Sequence, residues 1–261
     1  MARQLFEEVF NRVAIYDMLF FNVKTVLEHP TLKDLEVNDK ALFERWMYLA
    51  NTKYNANIVD DKYLETIYLN NAPYYPEYSK IVAITYAKLF PENGSLKRVF
   101  KKIANNNERL VIATFFDELY RVSSEGVQST PQVLPTLCGY NITTYDIPLL
   151  IKRFILYRSE MENKQLPLIL KNSILIKPWE SGLLDVANVW KFNGVDVTPL
   201  MLISDFLELK KTTDLLPLPE LSKYYWENID EKPEETLEFL TLQSATQTNL
   251  VIQVINELRQ L

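Results

Sequence analysis

One cysteine, one histidine and five glycines are all that 261 residues contain of three residue types on which much protein chemistry depends. The lone Cys138 excludes a disulfide within the chain. With only His29 beside it, no Cys/His zinc cluster can be assembled. The scarcity of glycine goes with the absence of any Gly-rich phosphate loop or Walker motif. No apolar run reaches the roughly 18 residues that a spanning helix needs, and no signal peptide is read at the N-terminus. Repeats and low-complexity tracts are also missing. A net charge of −6 argues against indiscriminate grip on nucleic-acid backbones, which takes clustered Lys and Arg. The expectation is a protein of a reducing, cytoplasmic compartment with no membrane contact.

What is present is ordinary for a globular chain: 48% hydrophobic and 24% charged residues, enough at this length for a full core. Residues 1–13 read as a short amphipathic helical extension, and 14–26 as the first strong strand. His29-Pro30 leads into an acidic loop. Asp39 then caps a helix through Leu42, Phe43, Trp46 and Met47, and a further helix lies near 60–69. A strand at Lys80–Tyr86 is joined through an Asn93-Gly94 turn to a strand at 96–102. Beyond a helix at 107–122 come a fourth strand at Leu134–Tyr140 and a helix at 144–157. Helices at 181–191 and 197–209 and one long helix at 232–259 complete the pattern. Strands early and helices late predict an α/β fold, with the sheet early and helices packed around it, over a single domain spanning 1–261.

In the first strand, alternation places Asn22 and Lys24 on one face. Two carboxylates in that pattern would hold Mg²⁺; an amide and an ammonium stand there instead. The stretch Phe20-Phe21-Asn22-Val23-Lys24-Thr25-Val26 resembles the first motif of the DEDD 3′–5′ exonucleases. The likeness is to the predicted exonucleases related to the proofreading domain of family B DNA polymerases, where that motif reads roughly Phe-Phe-Asp-Ile-Glu-Thr-Val. Pro76–Ile84 resembles the family's lead into the second strand. Gly139-Tyr140-Asn141-Ile142-Thr143-Thr144-Tyr145-Asp146-Ile147-Pro148 resembles its second acidic motif, with Arg153 following at the family's spacing. Lys177–Glu180, Leu184-Asp185-Val186 and Trp190-Lys191-Phe192 are similar to further family segments.

The resemblance implies a ribonuclease H-like fold, with a central mixed sheet flanked by helices, and two-metal chemistry with Mg²⁺ or Mn²⁺. It also implies a last acidic motif on the final helix, where Ser244 stands in place of the metal-binding Asp and Leu240 in place of the Tyr or His that orients water. No Asp follows Asp230, and Asp146 alone of the four family acids remains. Asp17, five residues before Asn22, falls on the opposite strand face. The expectation is a pseudo-exonuclease with no intact catalytic set and no cofactor, serving as a protein-interaction, assembly or nucleic-acid-binding module, of a kind that a virus or mobile element could use as an assembly part. The alternative is an active or atypical metal-dependent 3′–5′ exonuclease acting on single-stranded ends.

Several residues carry two readings. Asp146 is either a weak metal ligand or a structural, helix-capping carboxylate. Lys24 either pairs directly with Asp146 in place of a metal or faces solvent. Asn141 either satisfies backbone groups or touches nucleic acid, and Asp185 supports a loop. Lys97, Arg98, Lys101 and Lys102 form either a phosphate-binding patch or a solvated edge. Tyr74-Tyr75 and Tyr224-Tyr225-Trp226 stack on bases, anchor a partner or fill a core. Cys138 is expected to be a buried small residue and His29 a loop residue.

Overall fold

The structure, a computed structural model, describes residues 14–54, 60–124, 134–161, 165–175, 182–192 and 194–260. The expected extension at 1–13 and the family-like segment Lys177–Glu180 lie outside these residues. Strand β1 (Met18–Leu27) is buried along its whole length, as a central strand covered on both faces must be. It pairs antiparallel with β2 (Ser79–Glu92) and parallel with β4 (Thr136–Gly139). Strand β3 (Ser95–Ala104) adds antiparallel to β2, and β5 (Leu183–Asp185) adds parallel to β4, giving the order β3-β2-β1-β4-β5. The protein is thus α/β, with a five-stranded mixed sheet flanked by helices.

Alternation along β1 sends its residues into separate cores. Leu19, Phe21 and Val23 pack with helix α4 (Glu108–Ser124), where Phe21 stacks on Phe115 at 5.9 Å, and with α5 (Ile147–Leu156). Met18 and Phe20 meet α8 (Leu200–Phe206) and the long α10 (Pro233–Leu258). Val26 packs with Leu240 of α10 and with Leu221 and Tyr225 of α9 (Leu218–Asn228). Near the end of β1, helices α1 (Leu32–Asn38), α2 (Lys40–Tyr54) and α3 (Asp61–Asn71) enclose Trp46 in a ring of Tyr68, Tyr75 and Tyr78. Short helices α6 (Leu168–Leu175) and α7 (Val186–Trp190) complete the set. Among the described residues no helix is long and apolar enough to cross a membrane.

The expected turn is there: Asn93 and Gly94 both take positive φ, the backbone of a two-residue hairpin whose twist suits the flanking strands. Asp39 does cap its helix, its Oδ1 accepting from Leu42 N at 3.0 Å. Two expectations are corrected. Residues 181–191 are not one helix: Leu183 and Leu184 join the sheet beside β4, and only a five-residue helix follows. The acidic loop after His29 contains α1, nucleated by Thr31, whose hydroxyl accepts from Asp34 N at 3.0 Å.

Candidate functional site

Three elements converge on the middle of β1. The strand presents Asn22 and Lys24 toward α10, each only 4% exposed. A bulge sits where they lie: Lys24 pairs with Ala83 but Thr25 with Ile81, so Val82 is the extra residue of β2. The second element is the loop after β4. A Cβ on Gly139 would meet Ile142 Cγ2 at 2.3 Å and Phe21 O at 2.9 Å, so only glycine lets the chain turn so close to β1. Asn141 follows in the left-handed region at φ 61°. A π-helical turn, Ile142–Asp146, then carries Asp146 to β1. The third element is α10, on which Ser244 and Gln247 stand less than one turn apart on the sheet-facing side.

The contacts are specific. Ser244 Oγ donates to Asn22 O at 3.1 Å, and Lys24 Nζ donates to Gln247 Oε1 at 2.5 Å. Asp146 does not cap its own helix; its Oδ2 accepts from Val23 N at a long 3.4 Å. The expected direct Lys24–Asp146 pair is therefore corrected: the ammonium takes the amide of Gln247, and its influence on Asp146 is electrostatic. Leu240, the expected replacement for the water-orienting Tyr or His, is buried. It lies with Val26, Leu221 and Tyr225 in an apolar core rather than over a polar site. Lys24 is buried, which removes its solvent-facing reading.

Burial dominates the electrostatics. It pushes the Asp146 carboxyl up to about 7, against the opposing pull of Val23 N–H and the Lys24 charge. It brings Lys24 down to about 8, against the attraction of Asp146. The Asn22 Oδ1 and the Thr85 hydroxyl, which face each other across β1 and β2, have no hydrogen-bond partner among the described residues, nor does the hydroxyl of Thr246. Such a donor set does not fit a divalent cation. One carboxylate drawn toward its neutral form, with an ammonium nearby, supplies too little negative charge to replace the waters of Mg²⁺. Among the described residues no three Asp, Glu, His or Cys side chains are placed to hold a metal ion. Asp17, in a 3₁₀ turn before β1, is exposed and makes no substitute acid.

Searches of family models, curated proteins and solved structures return no match to this chain.

The remaining candidates disperse. Asp185, at the end of β5, accepts from Asn141 N at 2.7 Å, Thr143 N at 3.0 Å, Thr143 Oγ1 at 2.6 Å and Ala187 N at 3.0 Å. It clamps the loop that delivers Asp146. The Asn141 side chain is bonded to the Thr144 hydroxyl. The basic residues of β3 do not form one patch, because alternation divides them between the two faces of the strand. Lys97 pairs with Glu92 and Lys101 with Glu118 on α4, whereas Arg98 donates to Asn249 on α10, the side that Lys102 shares. Tyr225 is buried, Trp226 Nε1 donates to Leu27 O and Tyr224 packs on Phe239, so this trio is structural. Tyr75 packs against Trp46, and Tyr74 is exposed. Cys138 is buried in β4, where burial pushes its thiol well up. Gln247 was not legible as a site residue. Its one signal is its place three residues after Ser244, on the same side of the helix.

Proposed function

We propose that this chain is a catalytically degenerate 3′–5′ exonuclease-like domain of ribonuclease H-like fold, which acts as an intracellular protein-interaction or assembly module. The observation that carries this reading is the Lys24–Gln247 hydrogen bond, flanked by Ser244 on Asn22, at the point where the resemblance calls for metal-binding carboxylates. Side chains of the chain itself fill that point. The mixed sheet, with the family-like motifs on β1, on the turn after β4 and on the last helix, supports the fold assignment. A protein partner is favoured over nucleic acid because the net charge is −6 and the basic residues of β3 are divided between two faces.

Calorimetric titration of Mg²⁺ and Mn²⁺, followed in the same buffers by digestion of end-labelled single-stranded DNA and RNA, tests the reading. Neither metal binding nor shortening is expected. Tight metal binding with progressive loss from the 3′ end would overturn it and support the active-exonuclease alternative.

A further inference from the structure

Away from the buried polar point under α10, a cavity of about 650 Å³ opens between the α1–α2 junction and α5, a volume suited to a small molecule. Its deepest charge is Arg153, only 6% exposed. That guanidinium is held but underused. Nη2 donates to Glu28 Oε2 at 2.9 Å, while Nε lies 3.2 Å from Glu108 Oε1 as an ion pair without hydrogen-bond alignment. Nη1 has no hydrogen-bond partner among the described residues. A buried guanidinium with most of its five N–H groups unanswered calls for an acceptor, and a planar anion matches its fork.

The rest of the lining says which anion. Lys152 stands beside Arg153 as a second cation, bonded to Glu77 at 2.5 Å. Glu28, Asp39 and Glu77 outnumber the two cations, so a simple anion would be opposed by the carboxylates around it. A ligand carrying an ammonium as well would meet both signs. Leu42, Pro76, Leu156 and Tyr157 add an apolar wall.

We propose that this cavity binds a small zwitterion with an apolar side chain, of the size and chemistry of an aliphatic amino acid. Its carboxylate takes Arg153 and Lys152, its ammonium takes Glu28 and Asp39, and its side chain lies against Leu156 and Tyr157. The inference is independent of the exonuclease reading, since none of these residues belongs to the cluster around Asn22 and Lys24.

His29 lines the cavity and is the chain's single histidine, so its imidazole C–H resonances are a one-site reporter by NMR. The probe is L-leucine, compared with isovalerate, isoamylamine and inorganic phosphate. L-leucine is expected to shift the His29 signals saturably, with a Kd of about 1 mM or tighter, and each half-molecule to bind about tenfold more weakly. Leu156→Trp, on the exposed rim, and Lys152→Ala should each weaken L-leucine about tenfold while leaving the circular dichroism spectrum unchanged. Neither variant disturbs Arg153, whose loss would strand Glu108 and endanger folding. The proposal is overturned if L-leucine leaves the His29 signals unmoved. It is equally overturned if isovalerate or phosphate binds as well as L-leucine, or if Leu156→Trp binds it undiminished.

Discussion

Asp146 and Asp185 are equally buried, 4% exposed each, at the ends of neighbouring stretches of chain, yet they live in opposite circumstances. Asp185 is met by three backbone N–H groups and a hydroxyl within 3.0 Å. Asp146 has one backbone N–H at 3.4 Å and an ammonium that is hydrogen-bonded elsewhere. What separates a carboxylate that organises structure from one that is merely enclosed is therefore the number of donors aimed at it, not its depth. The first type is built for its place. The second is the kind of group that a metal ion would otherwise satisfy.

The sharpest way to break the comparison is to remove the well-served carboxylate. Asp185→Ala strands four donors and releases the loop that carries Asp146, and should destabilise the fold by about 3 to 5 kcal/mol, measured by urea unfolding.

For the poorly served carboxylate the pH dependence is diagnostic. Burial raises Asp146 from an ordinary 3.8 to about 7, so the folded state keeps a proton that the unfolded chain gives up. The resulting stabilisation is full below pH 3.8 and is lost as pH rises through 7. Lys24 runs the other way: lowered from 10.5 to about 8, it opposes folding below pH 8 and ceases to do so toward 10.5. Asp146→Asn should therefore lose the decline between about pH 4 and 7, gaining on the parent protein by about 2 to 4 kcal/mol across that window in unfolding free energy.

The smallest effect is expected at the hydrogen bond between Lys24 and Gln247. Replacing both Lys24→Met and Gln247→Leu exchanges a buried ammonium and its amide for packed apolar atoms, and should raise stability by about 1 kcal/mol at neutral pH. A loss of several kcal/mol there would mean that Lys24 holds Asp146 more firmly than the geometry implies.

These contrasts also mark what could be read from the sequence. A long apolar run made β1 legible, the Asn93-Gly94 turn marked the β2–β3 hairpin, and helical spacing of apolar residues marked α4 and α10. Strand β5 was not, since Leu183-Leu184-Asp185 is too short to alternate and runs on into Val186–Trp190 as if helical. Helix α9 has no counterpart among the expected elements: Pro217 and Pro219 interrupt the apolar pattern at its start, although Pro219 sits in the first turn, where proline is tolerated. At the site, the motif spacing drew attention to Asn22, Lys24, Asp146 and Ser244. The partner choice of Lys24 was out of reach, because it depends on which neutral side chain α10 presents when it docks. Leu240 stands four residues before Ser244 on nearly the same side of α10, and the shift of about 6 Å along the axis carries it from the polar point to the apolar core around Val26.

The hydrogen bonds from Ser244 to Asn22 and from Lys24 to Gln247 join residues 222 and 223 positions apart. During translation β1 emerges before the helix that covers its polar face, with more than 200 residues made in between. At ordinary elongation rates that interval is about 10 to 45 s. Throughout it the nascent chain must hold Lys24 hydrated and Met18 and Phe20 unburied by α10. The central strand is thus made well before the helix that closes it.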